Sequence, residues 1–251
     1  MHDQNGIVKD RREIAKGIVA LTLQLEQWDD IVPGQFAHVA IEGSFLRRPI
    51  SIAGANAAEK AIVLIVQKEG TGSTRLANSS RGSSVKLLSP LGRGFSWKDE
   101  RLIWLVGGGV GVAPLLLLAR RLREEGRTVE SFVGFRDPVH VYGLHELGEH
   151  GSVHSVVGGL VTDTLVRCLE EGHPDLLMAC GPVPMLRILQ KICRERGIRA
   201  KVSLEEHMGC GIGACLTCNC KVKIEDGSVY RRVCVDGPVF DLNEVIFDVP
   251  E

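Results

Sequence analysis

Five of the eight cysteines stand close together near the end of the chain, at positions 210, 215, 218, 220 and 234. Cys210, Cys215 and Cys218 follow the spacing C-x4-C-x2-C, and Cys234 comes after fifteen intervening residues. That is the plant-type spacing of thiolates around a [2Fe-2S] cluster. A tight loop must bring three thiolates together, and a fourth must return from a later strand end. Gly209, Gly211 and Gly213 permit unusual φ values. They also leave backbone N–H groups free to approach the sulfur atoms and offset the negative charge. Structural zinc is the rival reading. Zinc loops favour paired C-x2-C knuckles, and only one such pair is present here. Cys220 reads as a core cysteine that could substitute as a ligand. Cys168, Cys180 and Cys193 read first as packed thiols.

Two further sets of residues suit phosphate groups. Arg47-Arg48-Pro49-Ile50-Ser51 is followed by Gly70-Thr71-Gly72-Ser73-Thr74. The Arg48 guanidinium is a charged fork for a phosphate, and a glycine turn rich in Ser and Thr offers donors to a pyrophosphate. Alone, the arginine-proline stretch would be no more than a strand edge. Gly107-Gly108-Gly109-Val110-Gly111-Val112-Ala113-Pro114 departs from strict G-x-G-x-x-G. It still puts glycines where a dinucleotide backbone approaches a helix N-terminus. Tight packing is the other explanation for it. Ala179-Cys180-Gly181-Pro182 repeats the placement at a second strand end, where ligands of parallel sheets bind.

The elements that must position these residues fall into three segments. Residues 1–97 carry short β-like runs at 17–25, 35–41, 61–67 and 84–88, closed by Gly, Pro, Asn and Ser. A small barrel removes their edges. Residues 98–200 alternate strands (101–106, 129–135, 152–157, 175–179) with helices (113–125, 144–149, 162–171, 183–197), the pattern of a parallel, doubly wound sheet. Residues 201–251 are too few to rely on an apolar core alone, and a metal centre would supply the missing stabilisation. The fold class expected is multidomain α+β: an N-terminal β-barrel, a central doubly wound α/β domain and a small C-terminal cluster domain.

Composition excludes other classes. The formal net charge of 251 residues is −1, so no global field draws nucleic acid or an anionic membrane. The longest apolar stretch, 110–119, is far short of the roughly 20 residues a membrane span needs. No basic stretch leads into an apolar run near the start. A cytoplasmic protein is expected, in which disulfides would explain the cysteine cluster poorly. No Ser–His–Asp order or metal-ligating histidine pair presents itself for chemistry on an organic substrate.

Together these motifs resemble the ferredoxin reductase superfamily, in order and spacing, across the whole chain. In that family a barrel with Arg-x-x-Ser and a later Gly-x-Gly-Ser/Thr turn binds the flavin, and the following α/β domain binds NAD(P). Many members have an aromatic residue in the Arg-x-x-Ser box. Pro49-Ile50 stand there instead, so stacking on the isoalloxazine from this position is not expected. More narrowly, residues 46–52, 108–114, 210–218 and 233–240 are similar to the electron-transfer subunits of NAD-dependent, two-subunit dihydroorotate dehydrogenases.

The resemblance implies FAD, one [2Fe-2S] cluster and NAD as electron acceptor. It implies an FMN-containing catalytic partner that oxidises dihydroorotate to orotate in pyrimidine biosynthesis, in a two-plus-two heterotetramer. Implied flavin contacts are Arg48, Pro49, Ile50, Ser51, Ile65, Val66, Gln67, Gly72 and Ser73, although Ile65 and Val66 also read as core. Implied nicotinamide-side positions are Gly108, Gly109, Gly111, Cys180 and Gly181. Arg136 could meet the ribose but reads first as a surface charge. The set is chemically coherent: a hydride carries two electrons, a [2Fe-2S] cluster one, and a flavin either number. The three segments leave no room for a substrate-binding barrel of about 250 residues, so electron transfer to another polypeptide is expected. Rival readings are an NAD(P)H–ferredoxin or sulfide reductase-type subunit and, from another class, a zinc-stabilised non-catalytic adaptor.

Overall fold

The computed structural model describes residues 1–247. Six strands close into a barrel: β1 (His2–Ala15), β2 (Ile18–Leu25), β3 (Phe36–Val39), β4 (Arg48–Asn56), β5 (Ala61–Gln67) and β6 (Ser84–Leu91), in the order β1-β2-β5-β4-β3-β6. Alternation decides what fills it. Val19, Leu21 and Leu23 point inward from β2, with Ile62, Leu64 and Val66 from β5. The interleaved residues point outward. Ile18, Ala20 and Ile65 pack against Ile103, Leu105 and Leu118, so one wall of the barrel is also a wall of the next layer.

After β5 the chain turns into a short helix, α1 (Thr71–Ala77). The glycine turn expected at 70–74 is the cap and first turn of this helix. Glycine is a poor helix former, but Leu76 and Ala77 are buried in the barrel core and hold the turn in place.

The middle layer alternates β7 (Leu102–Gly108), α2 (Ala113–Glu124), β8 (Thr128–Phe135), α3 (Leu144–Gly148), β9 (Ser152–Val157), α4 (Val161–Cys168), β10 (Leu176–Cys180), α5 (Val183–Arg196) and β11 (Ala200–Ser203). Leu115 and Leu118 of α2 cover one face of the sheet, while Leu165 of α4 and Leu186 and Leu189 of α5 cover the other. The sheet is therefore doubly wound. β8 and β9 extend it to one side of β7, and β10 and β11 to the other. The reversal of strand order between β7 and β10 is where such sheets bind ligands.

The remaining strands are β12 (Asn219–Ile224), β13 (Gly227–Arg232), β14 (Val239–Asp241) and β15 (Val245–Ile246). β12, β13 and β15 form a small antiparallel sheet, whereas β14 adds antiparallel to β11 in the middle sheet. Val222, Val233 and Val245 join one core with Leu177, Leu186, Phe36 and Leu91. The cysteine-rich segment thus borrows its apolar core from both other layers. Among the described residues, no helix is long and apolar enough to cross a membrane.

Candidate functional site

β7 and β10 end side by side, with Gly107 opposite Cys180 in the parallel ladder. A single 3-10 turn (Gly109–Val112) then leads into α2, with Pro114 in its first turn. The glycines here are demanded by close approach. A Cβ on Gly111 would collide with the carbonyl oxygen of Cys180, and one on Gly108 would lie 2.9 Å from both Pro182 and Met185. These turns, with Gly134 and Gly158–Gly159 at the ends of β8 and β9, border a cleft of about 780 Å³. That volume suits a cofactor-sized ligand, and the N-terminus of α2 favours a phosphate there.

Gln67, Glu69 and Glu205 border the same cleft. Glu205 is exposed to solvent at the cleft's border. Desolvation raises its carboxyl above the ordinary glutamate value, and the charge of Glu69 adds to the effect. Cys180 is fully buried. Burial pushes its thiol well above the usual range, with Glu205 contributing.

On the barrel, Arg48, Pro49, Ile50 and Ser51 open β4 and pair in register with Val39, His38, Ala37 and Phe36 of β3. Arg48 Nη1 donates to the Leu46 carbonyl at 2.8 Å. Its guanidinium lies over Gly72, where a Cβ would come within 3.2 Å of Nε. The Ser73 hydroxyl accepts from the N–H groups of Glu69 and Gly70 at 3.1 and 3.0 Å, and so shapes the start of α1. A guanidinium and a helix start thereby converge, a combination suited to a phosphate. β4 pairs with β5 only as far as Ile52 opposite Leu64. The backbone of residues 65–67 has no β4 partner, although the side chains of Ile65 and Val66 are packed in separate cores.

The cysteine loop lies beyond β11. Cys210 Sγ accepts from the backbone N–H groups of Ile212, Ala214 and Cys215 at 3.3–3.4 Å, and Cys215 Sγ accepts from Cys210 N–H at 3.4 Å. Gly211 and Gly213 make this wrapping possible at φ +72° and +83°. Leu216 is held at φ +58°, a strained setting for a non-glycine residue, and Asn219 Nδ2 donates to its carbonyl at 2.7 Å. Hydrogen bonds from the Thr217 side chain and backbone, with Cys210, lower the Cys215 thiol to about 6. Cys234 follows β13, buried beside Cys218, and that burial and its neighbour push its thiol up to about 12. Arg232 binds Asp236 at 3.2 Å and donates to the Gly213 carbonyl at 3.2 Å, pinning the loop to the Cys234 turn.

The thiols thus stand as two pairs, 210 with 215 and 218 with 234. Each iron of a [2Fe-2S] cluster, bridged to its neighbour by two sulfides, needs two thiolates. Among the described residues, no three Cys, His, Asp or Glu side chains converge on one point as a single metal ion would require. The donor set fits the two-iron group.

Residues 205–246 match the family described as the iron-sulfur cluster binding domain of dihydroorotate dehydrogenase B. The chain is 40% identical to the dihydroorotate dehydrogenase B (NAD(+)) electron transfer subunit of Shouchella clausii, an alignment covering 96% of each chain. It is 40% identical to that of Bacillus mycoides, over 98% of this chain and 99% of the other. The chain belongs to the electron-transfer subunits of dihydroorotate dehydrogenase B. Two solved structures share the fold of this electron-transfer subunit. An NADH-dependent reduced ferredoxin–NADP oxidoreductase superposes with a TM-score of 0.87 at 25% identity, covering 96% of this chain and 89% of its own. Phthalate dioxygenase reductase superposes at 0.62 and 19% identity, covering 91% and 94%.

Within this electron-transfer subunit, Gly108, Gly109, Gly111 and Gly181 border one cleft, while Cys180 lies beneath it and contributes its carbonyl to the packing. Gln67 reaches the same cleft; Arg48 meets Gly72 on the barrel. Cys220 is packed in the core, its thiol pushed up to about 11 by burial. Arg136 is exposed, as its reading as a surface charge expects, but it stands on the cleft's border. Sequence reasoning passed over Glu69, Glu205 and Gly158–Gly159. The glycine pair follows β9 by the strand-end rule that marks Gly107–Gly111, so the signal was available. Nothing local distinguishes Glu205 from other charges.

Proposed function

We propose that this chain passes electrons between the catalytic subunit of dihydroorotate dehydrogenase and NAD, using FAD held by the barrel and a [2Fe-2S] cluster held by the cysteine loop. When bound, these groups supply the exchange between one-electron steps and a two-electron hydride, running from the partner's FMN through the cluster and FAD to NAD+. The chain's own residues bind and orient. Cys210, Cys215, Cys218 and Cys234 hold the irons. Arg48 and the start of α1 take the FAD phosphates, and Pro49, Ile50, Ser51 and the edge of 65–67 that β4 leaves unpaired line the flavin. The cleft at Gly108, Gly109, Gly111 and Gly181 receives the nicotinamide nucleotide. Residues 1–97, 98–200 and 201–251 serve as the flavin, nucleotide and cluster units.

The carrying observation is the two-by-two pairing of thiols wrapped by backbone N–H groups. The catalytic partner docks at the cluster loop, where Ile212 and Leu216 are exposed beside the sulfurs, since electron exchange falls steeply with distance. A two-plus-two heterotetramer in the cytoplasm completes the reading.

The test mixes the anaerobically purified chain with the FMN-bearing, dihydroorotate-oxidising subunit and follows NAD+ reduction. The expected result is NADH formation that neither subunit supports alone, with iron, acid-labile sulfide and FAD in this chain. No gain over the catalytic subunit alone overturns the assignment. Zinc without sulfide would support the adaptor reading instead.

A further inference from the structure

We propose that His38 is the positioning residue that seats the cluster loop against the flavin strand. β3 divides its side chains between two cores: Ala37 and Val39 fill the barrel, whereas Phe36 belongs to the core that contains Cys218 and Cys234. His38 shares the Phe36 face by alternation and is fully buried. Across the β3–β4 ladder its partner is Pro49, and that of Phe36 is Ser51. Residues directly opposite share a face, so the imidazole stands beside two residues assigned to the flavin. On its other side it meets the cysteine loop, where a Cβ on Gly211 would lie 2.5 Å from Nδ1. One ring therefore lies between the flavin box and the residue next to Cys210.

Packing alone does not explain an imidazole here. Neither ring nitrogen makes a hydrogen bond of good geometry, although the carbonyls of Arg47 and Cys210 lie close enough to act on the ring. A buried polar group left in that state costs about 1–3 kcal/mol, which a phenyl ring would avoid. With the Cys210 carbonyl beside it, the ring N–H can engage that carbonyl and hold the loop's first peptide. Holding that peptide aims the N–H groups of 212, 214 and 215 at Cys210 Sγ. It also fixes the separation between cluster and flavin, on which electron exchange depends.

The inference rests on the assignment of the four cysteines and FAD, and the experiment separates the two. The full chain, His38→Ala and His38→Gln are purified anaerobically. Each is assayed for iron, sulfide and FAD, for the EPR spectrum and midpoint potential of the reduced cluster, and for the rates at which NADH reduces first FAD and then the cluster. In His38→Ala, NADH should reduce FAD at the parental rate. The cluster should be reduced about 10-fold more slowly, the loss typical of removing an outer partner of a metal ligand, with a shifted EPR spectrum. His38→Gln, which keeps an N–H, should recover most of the rate. Parental cluster kinetics and EPR in His38→Ala overturn the inference. Should His38→Ala lose its cluster, His38→Gln decides: iron and an EPR spectrum close to the parent's support a role for the ring N–H, and an equal loss of iron in both variants overturns it. A parent without iron or FAD would overturn the functional reading itself, and this inference with it.

Discussion

Two glycine-rich stretches serve the functions of this protein, and the main demand on glycine differs between them. At the end of β7 and in the turn that follows it, Gly107, Gly108 and Gly111 are places where a Cβ would strike a neighbour. Packing fixes that stretch before any ligand arrives. In the cysteine loop, Gly211 and Gly213 sit at positive φ and turn backbone N–H groups toward sulfur. That loop is shaped for a group that binds it, and it carries a strained Leu216 besides. Glycine abundance alone therefore does not distinguish a cleft formed by packing from a wrapping that a metal completes.

Cys215 is where the wrapping loop is most vulnerable. Cys215→Ser should abolish the iron–sulfur absorbance and loosen the complex with the catalytic subunit, while FAD and its reduction by NADH remain. Cluster absorbance retained in the variant would remove Cys215 from the ligand set. Next is Gly111→Ala, which forces a side chain onto the backbone of β10. Overpacking costs about 1–3 kcal/mol, and a backbone neighbour that cannot rotate away puts this case at the upper end. Denaturant unfolding should show the loss, with weakened NAD binding and an intact cluster. A smaller effect belongs to Arg48→Ala, which removes a charged hydrogen-bonding group worth about 1.5–3 kcal/mol. FAD titration should register it, and Arg48→Lys should recover only part because it lacks the planar fork.

A weaker contact supports the packed side of the molecule. Glu100 is 10% exposed, accepts from the Lys98 N–H and pairs with Arg199 at 3.1 Å. It braces the approach to β7 against the approach to β11. The Lys98 N–H first, and Arg199 among weaker causes, hold its carboxyl below the usual value. A lowered folded pKa gives stability that is present above the unfolded glutamate value and lost as pH falls through the lower, folded one. Glu100→Gln should therefore cost about 0.5–1.5 kcal/mol at neutral pH, with Arg199 adding little because its side chain is 68% exposed. Thermal unfolding of the two proteins should converge in acid. A difference that persists there would assign the effect to shape instead.

The middle layer was the most legible part of the chain. Its apolar strands and amphipathic helices alternate cleanly, and the expected strand at 152–157 coincides with β9. β1 was not legible, because residues 9–13 are Lys, Asp, Arg, Arg and Glu and all but Arg11 are exposed. Only Gln4, Gly6 and Val8 face inward, too few to mark a strand. The start of α1 reads as a turn because glycine lowers local helix preference, and tertiary burial of Leu76 overrides it. At the site, the spacing of cysteines carries over local sequence and is readable. The contact of His38 with Gly211 joins residues far apart in the chain, and no periodicity records such a meeting.

β14 has a consequence for anyone wishing to transplant the redox segment. Its three residues flank β11 on the side away from β10. Severing the chain after Ser203 would strip that flank and leave β11 with a bare row of amides, an invitation to intermolecular pairing. A graft of the cysteine segment onto another scaffold would need to bring its own shelter for Val222, Val233 and Val245.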